Sequence, residues 1–206
     1  SGAALTGLTG AGLTLKNNGG DELTPSGASF TFATSVDSGE NYAVTISAQP
    51  SGQVCGVASA SGTVATANVE NVAVTCYANP VLAVEPRFAS AIATWPTTGA
   101  STYTLKGTTS PTCDLVTASC PGAIEVATAT SPAIVPGLTD GTVYYFQLLA
   151  AHPGGVNAAS NKTATRPNKP LLDDSVTALA TANGVTYAGG AFSPVGALSY
   201  RGRSPP

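Results

Sequence analysis

Short stretches in which apolar and polar residues alternate with a period of two recur along the whole chain, separated by Gly-, Asn- and Pro-rich breaks. Leu13-Thr14-Leu15 is the first clear run, and Asn17-Asn18-Gly19-Gly20 closes it with a strong turn signal. Ser29-Phe30-Thr31-Phe32 alternates next. Asn41 to Ile46 then places Tyr42, Val44 and Ile46 on one face, and Val69 to Cys76 does the same for Val72, Val74 and Cys76. Further along, Ala91-Ile92-Ala93-Thr94-Trp95, Thr102-Tyr103-Thr104-Leu105 and Tyr144 to Ala150 repeat the pattern, the last with Tyr144, Phe146, Leu148 and Ala150 facing inward. A period of two requires strands, and regular spacing of short strands requires stacked sheets. The expected fold is all-β: two tandem β-sandwiches followed by a β-hairpin segment. The boundaries fall at 1–78, 79–169 and 170–206, with Asn79-Pro80 as a short linker.

Composition agrees. Hydrophobic residues make up 43% of the 206 residues, enough to fill two cores, while charged residues make up only 9%. An ordinary domain carries about 25%. Thr, Ser, Asn and Gly must therefore hold the surface in water, and 23 Gly with 15 Pro supply the turns. The net charge of −3 and the scatter of eight Lys and Arg exclude the basic patch of a nucleic-acid binder and disfavour an anionic membrane surface. No run approaches the roughly 18 apolar residues of a spanning helix. The opening Ser1-Gly2-Ala3-Ala4 suits a trimmed N-terminus.

In the first segment, Gly27-Ala28-Ser29-Phe30-Thr31-Phe32, Gly39-Glu40-Asn41-Tyr42-Ala43-Val44-Thr45-Ile46, Gln49 to Cys55 and the closing Val72-Ala73-Val74-Thr75-Cys76 resemble a cysteine-containing bacterial variety of prealbumin-like, Cna-B-type surface repeat. Some members of that family join a Lys to an Asn internally. Here the resemblance would point to Lys16 with Asn68 or Asn71, against the simpler reading of Lys16 as a solvated side chain. In the second segment, Trp95 at the end of an early strand and the corner Leu138-Thr139-Asp140-Gly141-Thr142-Val143-Tyr144 resemble a fibronectin type III domain. Its departure from the family is the loop holding Cys113 and Cys120. In the third segment, Val176-Thr177-Ala178-Leu179-Ala180 and Val185 to Phe192 resemble the opening of one bacterial β-propeller blade, with Asn183-Gly184 as the hairpin turn.

Physical chemistry assigns the same core without the families. Phe30, Phe32 and Tyr42 are the aromatic filling of the first module. Trp95, Tyr103, Tyr144 and Phe146 fill the second, where sheets about 10 Å apart demand large side chains. Tyr144 can bury its ring and bond its hydroxyl to nearby backbone. A Trp95 exposed for sugar stacking is the competing reading.

The four cysteines form no Cys-x-x-Cys pair and lie far in sequence from the single His152, so a zinc site is a poor reading. Two local disulfides, Cys55–Cys76 and Cys113–Cys120, are the economical reading and imply an oxidising compartment. Four buried reduced thiols are the alternative. His152, in His152-Pro153-Gly154-Gly155, reads as a surface-loop residue, with no Gly-x-Ser-x-Gly elbow to serve. The adjacent acidic pairs Asp21-Glu22 and Asp173-Asp174 read as solvated rather than as calcium ligands. Asn161-Lys162-Thr163 fits a glycosylation sequon that a bacterial origin leaves silent. No phosphate-binding glycine loop occurs.

The expected function is a non-enzymatic extracellular module, structural or adhesive, of a bacterial surface protein, including a subunit of a filament or other surface assembly, with no cofactor and no bound metal. Expected partners are other protein chains, including identical copies joined through the C-terminal segment, and a surface glycan. The alternative is a spacer or carbohydrate-binding module of a secreted polysaccharide-active enzyme.

Overall fold

The computed structural model describes residues 3–168 and the backbone of two further strands, 176–182 and 185–190. Among the described residues every regular element is a strand, apart from one 3₁₀ turn. The first module is a sandwich of two four-stranded sheets. Its strands are β1 (Ala3–Thr6), β2 (Thr14–Asn17), β3 (Gly20–Leu23), β4 (Ser29–Phe30), β5 (Asn41–Ala48), β6 (Gln53–Ala58), β7 (Ser61–Thr63) and β8 (Ala73–Ala78). One sheet runs β4-β1-β8-β6 and the other β3-β2-β5-β7, with β1 parallel to β8 and the other pairs antiparallel.

Alternation decides what each strand buries. Leu15, Tyr42, Val44, Val72 and Val74 face one another between the sheets, with Ala3, Leu5, Leu13 and Phe30. The β2–β3 hairpin turns on Asn18 and Gly19, at φ 50° and 74°. Two successive positive φ values match the right-handed twist of the flanking strands, and Asn-Gly adopts them at low cost. Phe32 lies outside the strand expected over Ser29–Phe32, which ends at Phe30. It stays half-buried, its ring edge-on to Phe30 at 5.8 Å. Edge strand β6 is shielded by Gln49, whose amide accepts from Cys55 N–H and donates to Cys55 C=O at 2.7 and 3.0 Å. That satisfies backbone groups an unprotected edge would offer to another chain.

The second module has β9 (Ala83–Arg87), β10 (Ser90–Thr94), β11 (Thr102–Thr108), β12 (Ile124–Val126), β13 (Ala133–Pro136), β14 (Tyr144–His152), β15 (Val156–Ala159) and β16 (Thr163–Thr165). A three-stranded sheet β13-β10-β9 packs on β12-β11-β14-β15, with β16 continuing beside β14 where β15 leaves it. The break between β15 and β16 is bridged by buried Ser160. Its hydroxyl accepts from Leu148 N–H at 2.9 Å and donates to Asn161 C=O at 2.8 Å. Trp95, Leu105, Phe146 and Leu148 centre the core, with Ala91, Ala93 and Val135 lining the facing sheet. Tyr103 is half-buried at its margin, 5.8 Å from Trp95, and its hydroxyl accepts from Thr98 N–H at 2.7 Å.

Tyr144 makes the corner expected of it: its ring is buried and its hydroxyl accepts from Thr139 N–H at 3.0 Å. Removing one such bond costs about 1 kcal/mol. Tyr144→Phe, which keeps the ring, is expected to lower the second module's stability by about that amount in urea unfolding and to leave the first module's transition where it was.

The C-terminal strands β17 (Val176–Ala182) and β18 (Val185–Gly190) pair antiparallel as a two-stranded sheet. Ala182 opposes Val185 in that pairing, and the expected turn Asn183-Gly184 lies outside the described residues. Asp173-Asp174 and Phe192 lie outside the described residues.

Candidate interaction surface at the joint between the modules

The segment expected to be a linker is packed. Asn79 N–H donates to Gly52 C=O at 2.9 Å, Pro80 is fully buried, and Leu82 enters the second module's core. The backbone thus passes from β8 to β9 with almost no free chain between them.

Two faces meet here. On the first module, β6 and β8 pair with Val54 opposite Tyr77, Cys55 opposite Cys76, and Gly56 opposite Thr75. Since Cys55 and Cys76 point into the core, period two turns Val54, Gly56, Thr75 and Tyr77 outward. On the second module, the β14–β15 hairpin turns through Pro153–Gly155, with Gly154 and Gly155 both at φ 76°. His152 and Val156 are opposite one another at its tip. They continue the inward face of Tyr144, Phe146, Leu148 and Ala150 past the end of that core.

The tip grips the outward face of β6 and β8. The His152 ring stacks on Tyr77 with centroids 4.1 Å apart and planes 17° from parallel. Val156 Cγ2 occupies the space a Cβ on Gly56 would need. Glycine inside a strand marks a close approach of this kind. His152 is therefore not the surface-loop residue its Pro-Gly-Gly neighbours suggested. It is 4% exposed, on a strand, and shielded by the other module. Among the described residues neither of its ring nitrogens has a hydrogen-bond partner. Burial pushes its pKa down, because the charged ring would lose its water. The Gly99 backbone opposes this more weakly, from outside hydrogen-bond geometry.

The other singled-out residues fall elsewhere. Cys55–Cys76 and Cys113–Cys120 are both bonded. The first staples adjacent strands inside a core. The second closes the loop between β11 and β12. That loop is further held by Lys162, whose ammonium donates to the carbonyls of Pro111 and Cys113 at 3.0 and 2.6 Å. In the same loop Asp114 accepts from Thr117 Oγ1 and Val116 N–H at 2.6 and 2.8 Å, which holds its carboxyl below the usual range. Trp95 is buried, so it offers no platform to a sugar. Lys16 lies outward on β2, paired with Glu22 at 2.8 Å rather than joined to Asn68 or Asn71. Asp21 accepts from Thr34 N–H at 2.9 Å. Among the described residues no cluster of three or more His, Cys, Asp or Glu side chains is arranged to hold a metal. A cleft of about 300 Å³ opens between the sheets of the first module, lined by Phe30, Phe32, Tyr42, Val64, Asn68 and Val72.

No family model and no curated protein matches the chain. Among solved structures it is similar to chicken CNTN1 FN1–FN3 domains, at 12% identity and a TM-score of 0.34. The match covers 76% of this chain and spans 55% of that one. By its own geometry the second module is a β-sandwich of a three-stranded sheet on a five-stranded one, with Trp95 between them and Tyr144 at a corner, and it resembles a fibronectin type III domain. The protein is thus a tandem of disulfide-bonded β-sandwiches, a construction typical of the extracellular space.

Proposed function

We propose that this chain is a non-catalytic structural module of a bacterial cell-surface protein, a stalk segment that holds two sandwiches at one fixed angle. The observation that carries this reading is the joint: buried Pro80, the Tyr77–His152 stack and the Gly56–Val156 contact leave no slack between the modules. Domains joined by a free linker move relative to one another by default. A joint that buries the linker and interlocks side chains transmits orientation, which is what a spacer or stalk must do. The first module is read as a prealbumin-like repeat and the C-terminal strands as part of a propeller blade. Among the described residues the β17–β18 sheet has only two strands, and such a hairpin gains stability by adding to another sheet. Its partner is taken to be another protein chain, a neighbouring copy included.

Residual dipolar couplings test the stalk reading in the full chain at neutral pH. One alignment tensor is expected to fit the amides of both modules. Gly56→Leu, which drives a side chain into Val156, is expected to require two tensors while each module keeps its own amide pattern. Two tensors already in the unaltered protein would overturn the reading.

A further inference from the structure

We propose that the joint is an acid-releasable lock, in which protonation of His152 uncouples the two modules while each stays folded. This goes beyond the stalk reading and rests on the geometry of the joint. His152 is the one histidine in the chain, and it lies at the contact where the β14–β15 hairpin meets the first module. Its ring is buried against Tyr77, and among the described residues neither nitrogen has a hydrogen-bond partner. A neutral ring tolerates that environment as a flat, largely apolar surface. A charged ring has two N–H donors to satisfy and a full charge to solvate, and burying it without a partner is expensive.

Among the described residues no counter-charge stands ready. Strand β8 presents Tyr77, whose ring lies flat on the imidazole. Strands β6 and β15, the Pro153–Gly155 turn, the linker 79–82 and the loop 96–101 contain no Asp, Glu, Lys or Arg. On β11 the titratable groups are Tyr103, whose hydroxyl is engaged by Thr98, and Lys106, which is opposite Gln147, five residues along β14. The Gly99 backbone favours the charged ring more weakly than burial disfavours it, so the proton needs water, which the ring gains when the hairpin tip lifts off β6 and β8.

The sign follows from linkage. Undocked, His152 titrates near the ordinary value of about 6.5. Docked, it titrates lower. Above the ordinary value both states hold a neutral ring and docking is at full strength. As pH falls below it the undocked state takes up the proton first, and the docking equilibrium weakens by about tenfold per pH unit until the docked ring also protonates. The modules have separate cores, so release costs neither its fold.

The test is the full chain studied by NMR from pH 7.5 to 4, with dipolar couplings for module orientation and the imidazole carbon-bound protons for titration. The expected result is one alignment tensor at pH 7.5, reversible passage to two on acidification, and His152→Phe remaining at one throughout. Unaltered and His152→Phe proteins that behave alike at every pH, both locked or both released, would overturn the proposal. Should the Phe variant fail to dock at pH 7.5, Tyr77→Ala decides. Uncovering the ring must return His152 to the ordinary titration range, and an unmoved titration sinks the idea. A failure of the stalk reading looks different: two tensors at pH 7.5.

Discussion

Trp95→Ala is expected to unfold the second module and leave the first one folded. The indole is 6% exposed and fills the space between the β13-β10-β9 sheet and the one opposite, against Leu105, Phe146 and Tyr103. The strand that leads into it, β10, adds only the small side chains Ala91 and Ala93 to the core beside it, so that strand offers nothing large to fill the void. Emptying a large aromatic site costs about 3–5 kcal/mol, comparable with the whole stability of a domain this size. The first module draws on a separate cluster around Leu15, Val44 and Val74 and should keep its own transition. It loses only the cover that His152 and Val156 give to Tyr77 and Gly56. Amide spectra of the variant should show first-module peaks in place, shifted only near β6 and β8, with second-module peaks collapsed. Loss of both sets would mean that the joint makes one cooperative unit of the two cores. Survival of both would mean that the site repacks.

The second large effect is expected from the disulfide inside the first core. Removing Cys55 and Cys76 together, as alanines, should cost the first module about 3–5 kcal/mol in urea unfolding. The bond joins directly opposed residues of β6 and β8, Cα atoms 3.9 Å apart, and closes a separation of 21 positions. In the chain-entropy model a loop of that length is worth slightly more than the roughly 3 kcal/mol of a 15-residue loop. Both sulfurs are also core atoms, at residues 4% and 5% exposed, so their loss adds a packing deficit. The same change at Cys113 and Cys120 should do less. That bond spans a separation of seven positions, outside the core and in a loop also tied by Lys162. Equal losses from the two pairs would show that neither the length of the closed loop nor its place in the core sets the effect.

Both predictions stand on residues whose roles the chain itself announces. Trp95 ends an alternating run, and Tyr144 follows a Gly-Thr corner at the start of another. Period two then places every second residue on a core face whatever the rest of the molecule does. The cysteines pair within modules because their strands and loop do. Local pattern suffices for these features, since a strand's faces and a hairpin's turn depend on covalent geometry and a few neighbours.

His152 shows where that reach ends. Continuing Tyr144, Phe146, Leu148 and Ala150 by one step puts His152 on the inward face, and the pattern carried that much. The Pro-Gly-Gly after it signals a surface loop, a local signal that holds for the turn but not for the side chain before it. The turn is at Pro153–Gly155, yet the side chain before it is buried, because another module covers the end of the sandwich. Gly56 carried a similar signal, a glycine inside a strand with a partner that no sequence distance identifies. Val156 stands 100 positions further on. Lys16 likewise read as a solvated cation until the β2–β3 register placed Glu22 beside it. The alternation of residues thus pointed to an all-β chain and its two cores, and the placement of each cysteine pair within one module pointed to its staples. Only the tertiary structure decided that the modules lock together and that an unpartnered histidine sits in the lock. Burial at a joint is the sum of two surfaces, and each surface is written in a different part of the chain.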